Sequence, residues 1–139
     1  VLGGFGGFFA GLVFGDTAHR YVVIALCGAA AVIGHMFPIY LGFKGGKGVA
    51  TGLGVFLYLA PKVVLISLAV FIATVAGTGF VSLGSLLASA VVLPCLYFFA
   101  EPTWKLFLAC FVVVMIWIKH HENIGRLLKG TEKSFKKKK

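Results

Sequence analysis

The sequence predicts an all-α fold: a polytopic integral membrane bundle of about five membrane helices plus the remnant of an earlier one. Composition is the first ground. Hydrophobic residues make up 60% of the 139 and charged residues 12%, half of the roughly 25% usual in a soluble domain. So few polar groups cannot cover a water-soluble core of this size, and the mean hydropathy is +1.02. Patterning is the second ground, because long uncharged runs recur and a helix needs about 20 apolar residues to cross hydrocarbon. Charge is the third: the net +9 is concentrated beyond the last apolar run.

The apolar runs are residues 1–15, 21–41, 48–60, 63–80, 81–100 and 103–118. In the first, Gly3, Gly7, Gly11 and Gly15 recur every fourth residue, a smooth stripe suited to close helix–helix contact. It reads as the tail of a helix. Runs 21–41 and 81–100 are long enough to span, and 63–80 and 103–118 are slightly short. Run 48–60 covers only about 20 Å as a helix, so its neighbours must support it. The breaks fall at "DTAHR", at the loop "GFKGGKGVATG" (42–52), at "APK", near "GTGF" and at "AEPTWK". Cys27, Cys95 and Cys110 sit inside apolar runs at no metal or disulfide spacing and read as small packing residues.

Orientation follows from Lys and Arg. If the glycine loop and the C-terminal tail share a side, that side holds ten basic residues: Lys44, Lys47, Lys119, Arg126, Lys129, Lys133 and Lys136 to Lys139. Arg20, Lys62 and Lys105 are left for the other. Positive-inside bias makes the loop and the C-terminus cytoplasmic, and the turn near 77–82 must then return to that side too. Two parts follow: a membrane-embedded domain over 1–118 and a basic cytoplasmic segment over 119–139. The basic tail suits anionic membrane lipid, and with no nucleic-acid fold before it, nucleic acid is excluded as a partner.

Three stretches can carry chemistry. The loop "FKGGKG" combines free backbone N–H groups with two lysines, which suits an anion. It is not a nucleotide-hydrolase P-loop, since Lys47 and Gly48 stand where that pattern needs Gly then Lys. In "KHHENIGRLLKGTE" (119–132), His120 and Asn123 share a helical face and can orient or deprotonate a hydroxyl. No HExxH spacing accompanies them, so no metal is expected. In "VSLGS", Ser82 and Ser85 stand at the head of a helix, where serines cap the helix and N–H groups hold anions.

Together these stretches resemble the bacterial acyl-phosphate:glycerol-3-phosphate acyltransferases, the PlsY family. "GHMFPIYLGFKGGKGVAT" is similar to its second motif, "HHENIGRLLKGTE" to its third, and "VSLGS" to the serine-bearing turn between them. The resemblance implies a seven-helix fold in the bacterial inner membrane. It also implies transfer of an acyl group from acyl phosphate to the 1-hydroxyl of glycerol 3-phosphate, the first step of phospholipid biosynthesis, releasing lysophosphatidic acid and phosphate. No cofactor, metal, acyl-CoA or acyl carrier protein is implied, and the expected partners are both substrates, membrane lipid and a separate enzyme that makes acyl phosphate. A monomer is expected. By the same resemblance, Gly42, Gly45, Gly46 and Gly48 shape the glycerol 3-phosphate site, and Lys44 and Lys47 hold phosphate. Ser82 and Ser85 add hydroxyl contacts, His120 and Asn123 are catalytic, and Glu132 is structural. His35, in "GHMFP", either packs against the loop or reaches the site, and packing is the preferred reading.

The family's first motif, G-S-x-N-x-G-x-T-N-x-x-R, has no counterpart here, because Asn123 is the sole Asn. The expectation is that an N-terminal portion bearing it is absent and that residues 1–139 alone do not transfer acyl groups. Two other classes compete. A transporter of a phosphorylated solute would need ionisable groups at mid-membrane, whereas the polar residues here gather at one surface. An acyl-CoA-dependent acyltransferase would show a His five residues before an Asp, and the sole Asp is Asp16.

Overall fold

A computed structural model describes residues 17–136. The glycine stripe at positions 3 to 15 and the helix remnant read there lie outside the described residues. Six α-helices follow in order: α1 (Thr17–Met36), α2 (Val49–Leu59), α3 (Pro61–Thr78), α4 (Val81–Phe98), α5 (Thr103–Lys119) and α6 (His121–Leu128). A short 3-10 turn, Ile39–Leu41, stands between α1 and α2.

Local chemistry sets most of the boundaries. The apolar run 21–41 does not form one helix to its end, because Pro38 disfavours helical backbone before it and α1 stops at Met36. Pro61 occupies the first position of α3, where its missing N–H costs nothing. Gly79 ends α3 in the left-handed conformation (φ 81°), its N–H donating to the Val75 carbonyl at 2.8 Å. Between α5 and α6 the chain bends by 59° at His120.

α4 is the central element, packed between α3 and α5, while α1 and α2 close the other side against α5 and α3. The shared core includes Val32, Met36, Phe56, Val63, Leu96 and Val112. Leu26, Leu57, Leu65, Ile72 and Phe107 point outward from the bundle. An apolar exterior of this kind suits lipid and would be a liability in water. α1, α3 and α4 are long and apolar enough to cross a membrane, and α5 with α6 makes a fourth, bent candidate. α2, with 11 residues, is the short supported helix anticipated for run 48–60. Polar side chains within the spans bond to backbone oxygens, as Ser67 does to Ala88 (2.7 Å) and Thr74 to Val70 (2.7 Å).

The two ends of the bundle differ. At one, Tyr21 stacks on Trp104 and Lys105 Nζ donates to the Leu59 carbonyl and to Glu101, both at 2.6 Å. That ammonium satisfies a carbonyl that the end of α2 leaves unpaired. At the other end, the glycine loop, the α3–α4 turn and residues 120–136 lie together. The glycine loop and the C-terminal segment therefore share one end of the bundle.

Candidate functional site

The site begins with how α6 stops. Gly130 adopts φ 67°, Gly130 N–H donates to Leu127 and Thr131 N–H to Arg126 (3.1 and 2.8 Å). This pair of bonds is the Schellman closure, and it turns the chain back so that Glu132 faces the helix it has just left. The segment beyond is pinned to the α3–α4 turn, with Phe135 N–H donating to Gly79 O at 2.6 Å and Lys136 Nζ to Gly77 O at 2.9 Å.

Glu132 thereby becomes a hub. Its Oε1 accepts hydrogen bonds from Ser82 Oγ and Asn123 Nδ2, both 2.6 Å, and its Oε2 accepts one from Arg126 Nε at 2.7 Å. The Ser82 hydroxyl first, then Asn123 and Arg126, draw its pKa from 4.5 to about 2, against the opposing effect of burial. The N-terminus of α4 adds partial positive charge beside the same carboxylate. Sequence reasoning placed Ser82 as a helix cap; the cap residue is Phe80, and Ser82 holds Glu132 instead. The hydroxyl is taken by a carboxylate 50 residues away, which no local pattern announces.

Asn123 is 6% exposed, and its amide orientation is dictated by that hub. Since Nδ2 donates to Glu132, Oδ1 is turned to Lys47, whose Nζ donates to it at 2.5 Å. The glycine loop and the third stretch thus meet through one amide. His120, 2% exposed and one residue beyond α5, uses Nδ1–H to donate to the Ile116 carbonyl at 2.7 Å. Burial lowers its pKa first and foremost, and the Lys47 charge acts in the same direction. The ring is therefore held neutral, with the Nε2 lone pair unused by the Nδ1 bond.

Not every expected residue joins this network. Lys44 is exposed, and Ser85, one turn into α4, donates to the Val81 carbonyl of its own helix (3.0 Å). Gly42, Gly45, Gly46 and Gly48 form the loop that delivers Lys47, with Gly42 and Gly48 in left-handed backbone (φ 57° and 78°). Two residues were not named as site residues from sequence: Arg126 and Lys133. With Asn123 and Glu132 they line a cavity of about 350 Å³. Arg126 had a readable signal, since His120, Asn123 and Arg126 recur every third residue along one face. Its guanidinium also lies 3.6 Å from Glu122.

Beside the polar cluster runs an apolar groove among α2, α3, α4 and α5. Val49, Phe56, Val64, Ala88, Val112 and Ile116 are among its lining residues. Val49 directly follows the glycine loop, and Ile116 is the residue whose carbonyl holds His120. The groove and the polar cluster therefore share a boundary.

Residues 2–130 match the family model described as glycerol-3-phosphate acyltransferase. A glycerol-3-phosphate acyltransferase of Desulfotalea psychrophila is 56% identical over 123 residues, covering 88% of this chain and 62% of its own. One of Maridesulfovibrio salexigens is 46% identical over 133 residues, covering 96% of this chain and 68% of its own. Crystal structures of PlsY, an integral membrane glycerol 3-phosphate acyltransferase, superpose closely in two forms. The glycerol 3-phosphate form gives a TM-score of 0.83 at 39% identity, over 94% of this chain and 64% of that one. The lysophosphatidic acid form gives 0.85 at 38%, over 96% and 67%. The chain spans about three-fifths of the length of the first curated relatives. On the family match and these identities, the chain belongs to the glycerol-3-phosphate acyltransferase family.

Proposed function

We propose that this protein transfers an acyl group from acyl phosphate to the 1-hydroxyl of glycerol 3-phosphate, giving lysophosphatidic acid and inorganic phosphate. The observation that carries the reading is the junction of Lys47, Asn123 and Glu132 with His120, which adjoins an apolar groove through Ile116 and lines a cationic cavity through Asn123 and Glu132. An amphiphilic donor and a small anionic acceptor need such a boundary. The two solved relatives are described as the glycerol 3-phosphate and lysophosphatidic acid forms of PlsY, which agrees with that pairing.

In this reading the acyl chain lies in the groove and its phosphate end stands in the cationic layer. Lys47 and Arg126 hold phosphate, with Lys44 and Lys133 adding charge from the rim. The loop glycines Gly42, Gly45, Gly46 and Gly48 let backbone approach glycerol 3-phosphate, Ser85 supplies a hydroxyl, and Ser82, whose hydroxyl proton goes to Glu132, steadies that carboxylate. Ser85 becomes available once its hydroxyl leaves Val81. His120 Nε2 receives the hydrogen of the attacking hydroxyl, and Asn123 orients the acceptor. The hydroxyl oxygen bonds to the acyl carbon, the bond from that carbon to the phosphate oxygen breaks, and phosphate departs. Acyl phosphate is already activated, so positioning and charge stabilisation suffice.

Topology supports the remaining assignments: a bacterial cytoplasmic membrane, with the site, the loop and the C-terminus facing the cytoplasm, as ten basic residues against three favour. The protein works as a monomer beside a separate enzyme that supplies acyl phosphate. Residues 1–118 form its membrane domain and 119–139 its basic cytoplasmic segment. The test is to express the complete coding sequence in membranes and supply labelled glycerol 3-phosphate with acyl phosphate or acyl-CoA. Lysophosphatidic acid formed from acyl phosphate is expected. Product from acyl-CoA alone, or uptake of label without acylation, overturns the reading.

A further inference from the structure

Two adjacent glycines, Gly45 and Gly46, precede the lysine that reaches Asn123, and backbone strain does not account for either. In this loop the left-handed conformation belongs to Gly42 and Gly48. At Gly46 the nearest obstacle to a side chain is the exposed imidazole of His35. A Cβ placed there would overlap His35 Nε2 and stand 3.1 Å from its Cδ2 and Cε1, which are the three nearest atoms. Gly45 is closed in a different way. Its Cβ would overlap the backbone oxygen of His35 and crowd Pro38 Cδ (2.5 Å) and the Met36 carbonyl carbon (2.7 Å).

His35 stands in the last turn of α1, where helix carbonyls lack partners. Its own carbonyl accepts the Gly46 N–H at 3.2 Å. The loop is therefore held by His35 twice, once through the backbone and once by the ring lying against Gly46. Two residues along, Phe37 receives the Lys119 ammonium over its ring at 4.0 Å, which ties the same helix end to the helix that leads into His120. The C-terminal end of α1 thus contacts both the glycine loop and the last residue of the helix that leads into His120.

We infer that His35 is a positioning residue for Lys47: its imidazole is the wall against which Gly46 is laid, and this seating holds the Lys47 ammonium at Asn123. The inference rests on the proposed acyl transfer for its kinetic readout, and on packing alone for its structural one. It gives Gly46 a reason distinct from that of its neighbours, and the difference can be measured. Removing the imidazole makes room for a methyl group at position 46. It makes none at position 45, where the obstacle is backbone that any residue keeps.

The experiment uses membranes expressing the complete coding sequence, with five variants: His35→Ala, Gly46→Ala, Gly45→Ala, and each glycine variant combined with His35→Ala. Gly46→Ala is expected to raise KM for glycerol 3-phosphate about tenfold while kcat stays within about threefold, the pattern of lost binding and not of lost chemistry. Adding His35→Ala is expected to return KM to within about threefold of the His35→Ala variant alone, and to leave Gly45→Ala as defective as before. Rescue at neither position, or equal rescue at both, overturns the proposal. Amide hydrogen exchange over residues 44–48 in detergent provides the second readout. Protection at Gly46 should fall in Gly46→Ala and return in the double variant; unchanged protection in Gly46→Ala overturns it. If wild-type membranes make no lysophosphatidic acid from acyl phosphate, the functional reading fails, and the exchange data still decide the role of His35.

Discussion

Glu132 is the residue whose replacement by glutamine should reveal most about this site. Its two oxygens accept three hydrogen bonds, one of them from the charged guanidinium of Arg126 at 2.7 Å. Glu132→Gln keeps the shape but turns one acceptor into a donor. In the better of the two amide orientations the carbonyl oxygen continues to serve Ser82 and Asn123, and the NH₂ faces Arg126 Nε. One charge-assisted bond is lost, about 1.5–3 kcal/mol, and two donors are left opposed. Taking about 2 kcal/mol, the loss is about thirtyfold if it all appears in the bound state. The assay is KM and kcat for glycerol 3-phosphate in membranes, with thermal unfolding in detergent alongside. A thirtyfold fall in kcat/KM and a lower melting temperature are expected for Glu132→Gln. In an Arg126→Ala background the opposed donor is gone, so the same change should cost less than about threefold. Wild-type kinetics and melting in Glu132→Gln, or an undiminished loss without Arg126, would refute the hub.

Further outcomes follow from the same bonds. Because the folded pKa of Glu132 is depressed from 4.5 to about 2, its contribution is fully present above 4.5 and is lost as pH falls from there towards 2; the acid limb of thermal stability should carry that signature in wild type and lose it in Glu132→Gln. Asn123→Asp places a second carboxylate against Glu132, so activity should drop about a hundredfold at pH 7 and recover in part near pH 5, as one proton comes to be shared. His120→Asn can still donate to the Ile116 carbonyl but has no Nε2; kcat should fall at least about a hundredfold with KM for glycerol 3-phosphate little changed, whereas a matching rise in KM would reassign His120 to binding. Ala88→Phe fills the apolar groove, and KM for a long-chain acyl phosphate should rise about tenfold or more, with KM for glycerol 3-phosphate untouched.

The helices were legible because they answer to local rules. Apolar run length, Pro61 and the glycine near the end of α3 are each read within a few residues of where they act. The single polar face was legible from the Lys and Arg count, a global sum that needs no contact map. The end of α1 at Met36 was also written in the chain, in Pro38, but apolar residues 39–41 masked it. What sequence could not give is pairing across distance. Lys47 and Asn123 are 76 residues apart, and Ser82 and Glu132 are 50 apart; either serine or the loop could have served a cap or a connector. His120 and Asn123 were found through their spacing on one helical face. Arg126 continues that face, but in sequence an arginine beside a basic tail reads as an interfacial anchor.

The electrostatics of the cluster explain how a carboxylate fits in a site proposed to hold anions. An isolated acidic group there would compete with phosphate for Lys47 and Arg126. Glu132 does not compete for Lys47, because Asn123 stands between them: the amide takes the carboxylate on its nitrogen and offers the ammonium its oxygen. Toward Arg126, Glu132 uses only Nε, which leaves the outer guanidinium nitrogens to the cavity and to the looser contact with Glu122. With Ser82 and Asn123 on the other oxygen, the carboxylate's strongest acceptor directions are consumed within the protein. Those bonds fix the guanidinium plane and the amide orientation. Lys47 is thus held by a neutral amide and keeps its charge uncompensated by a direct carboxylate contact, which is the arrangement that the proposed binding of phosphate at a lipid boundary requires.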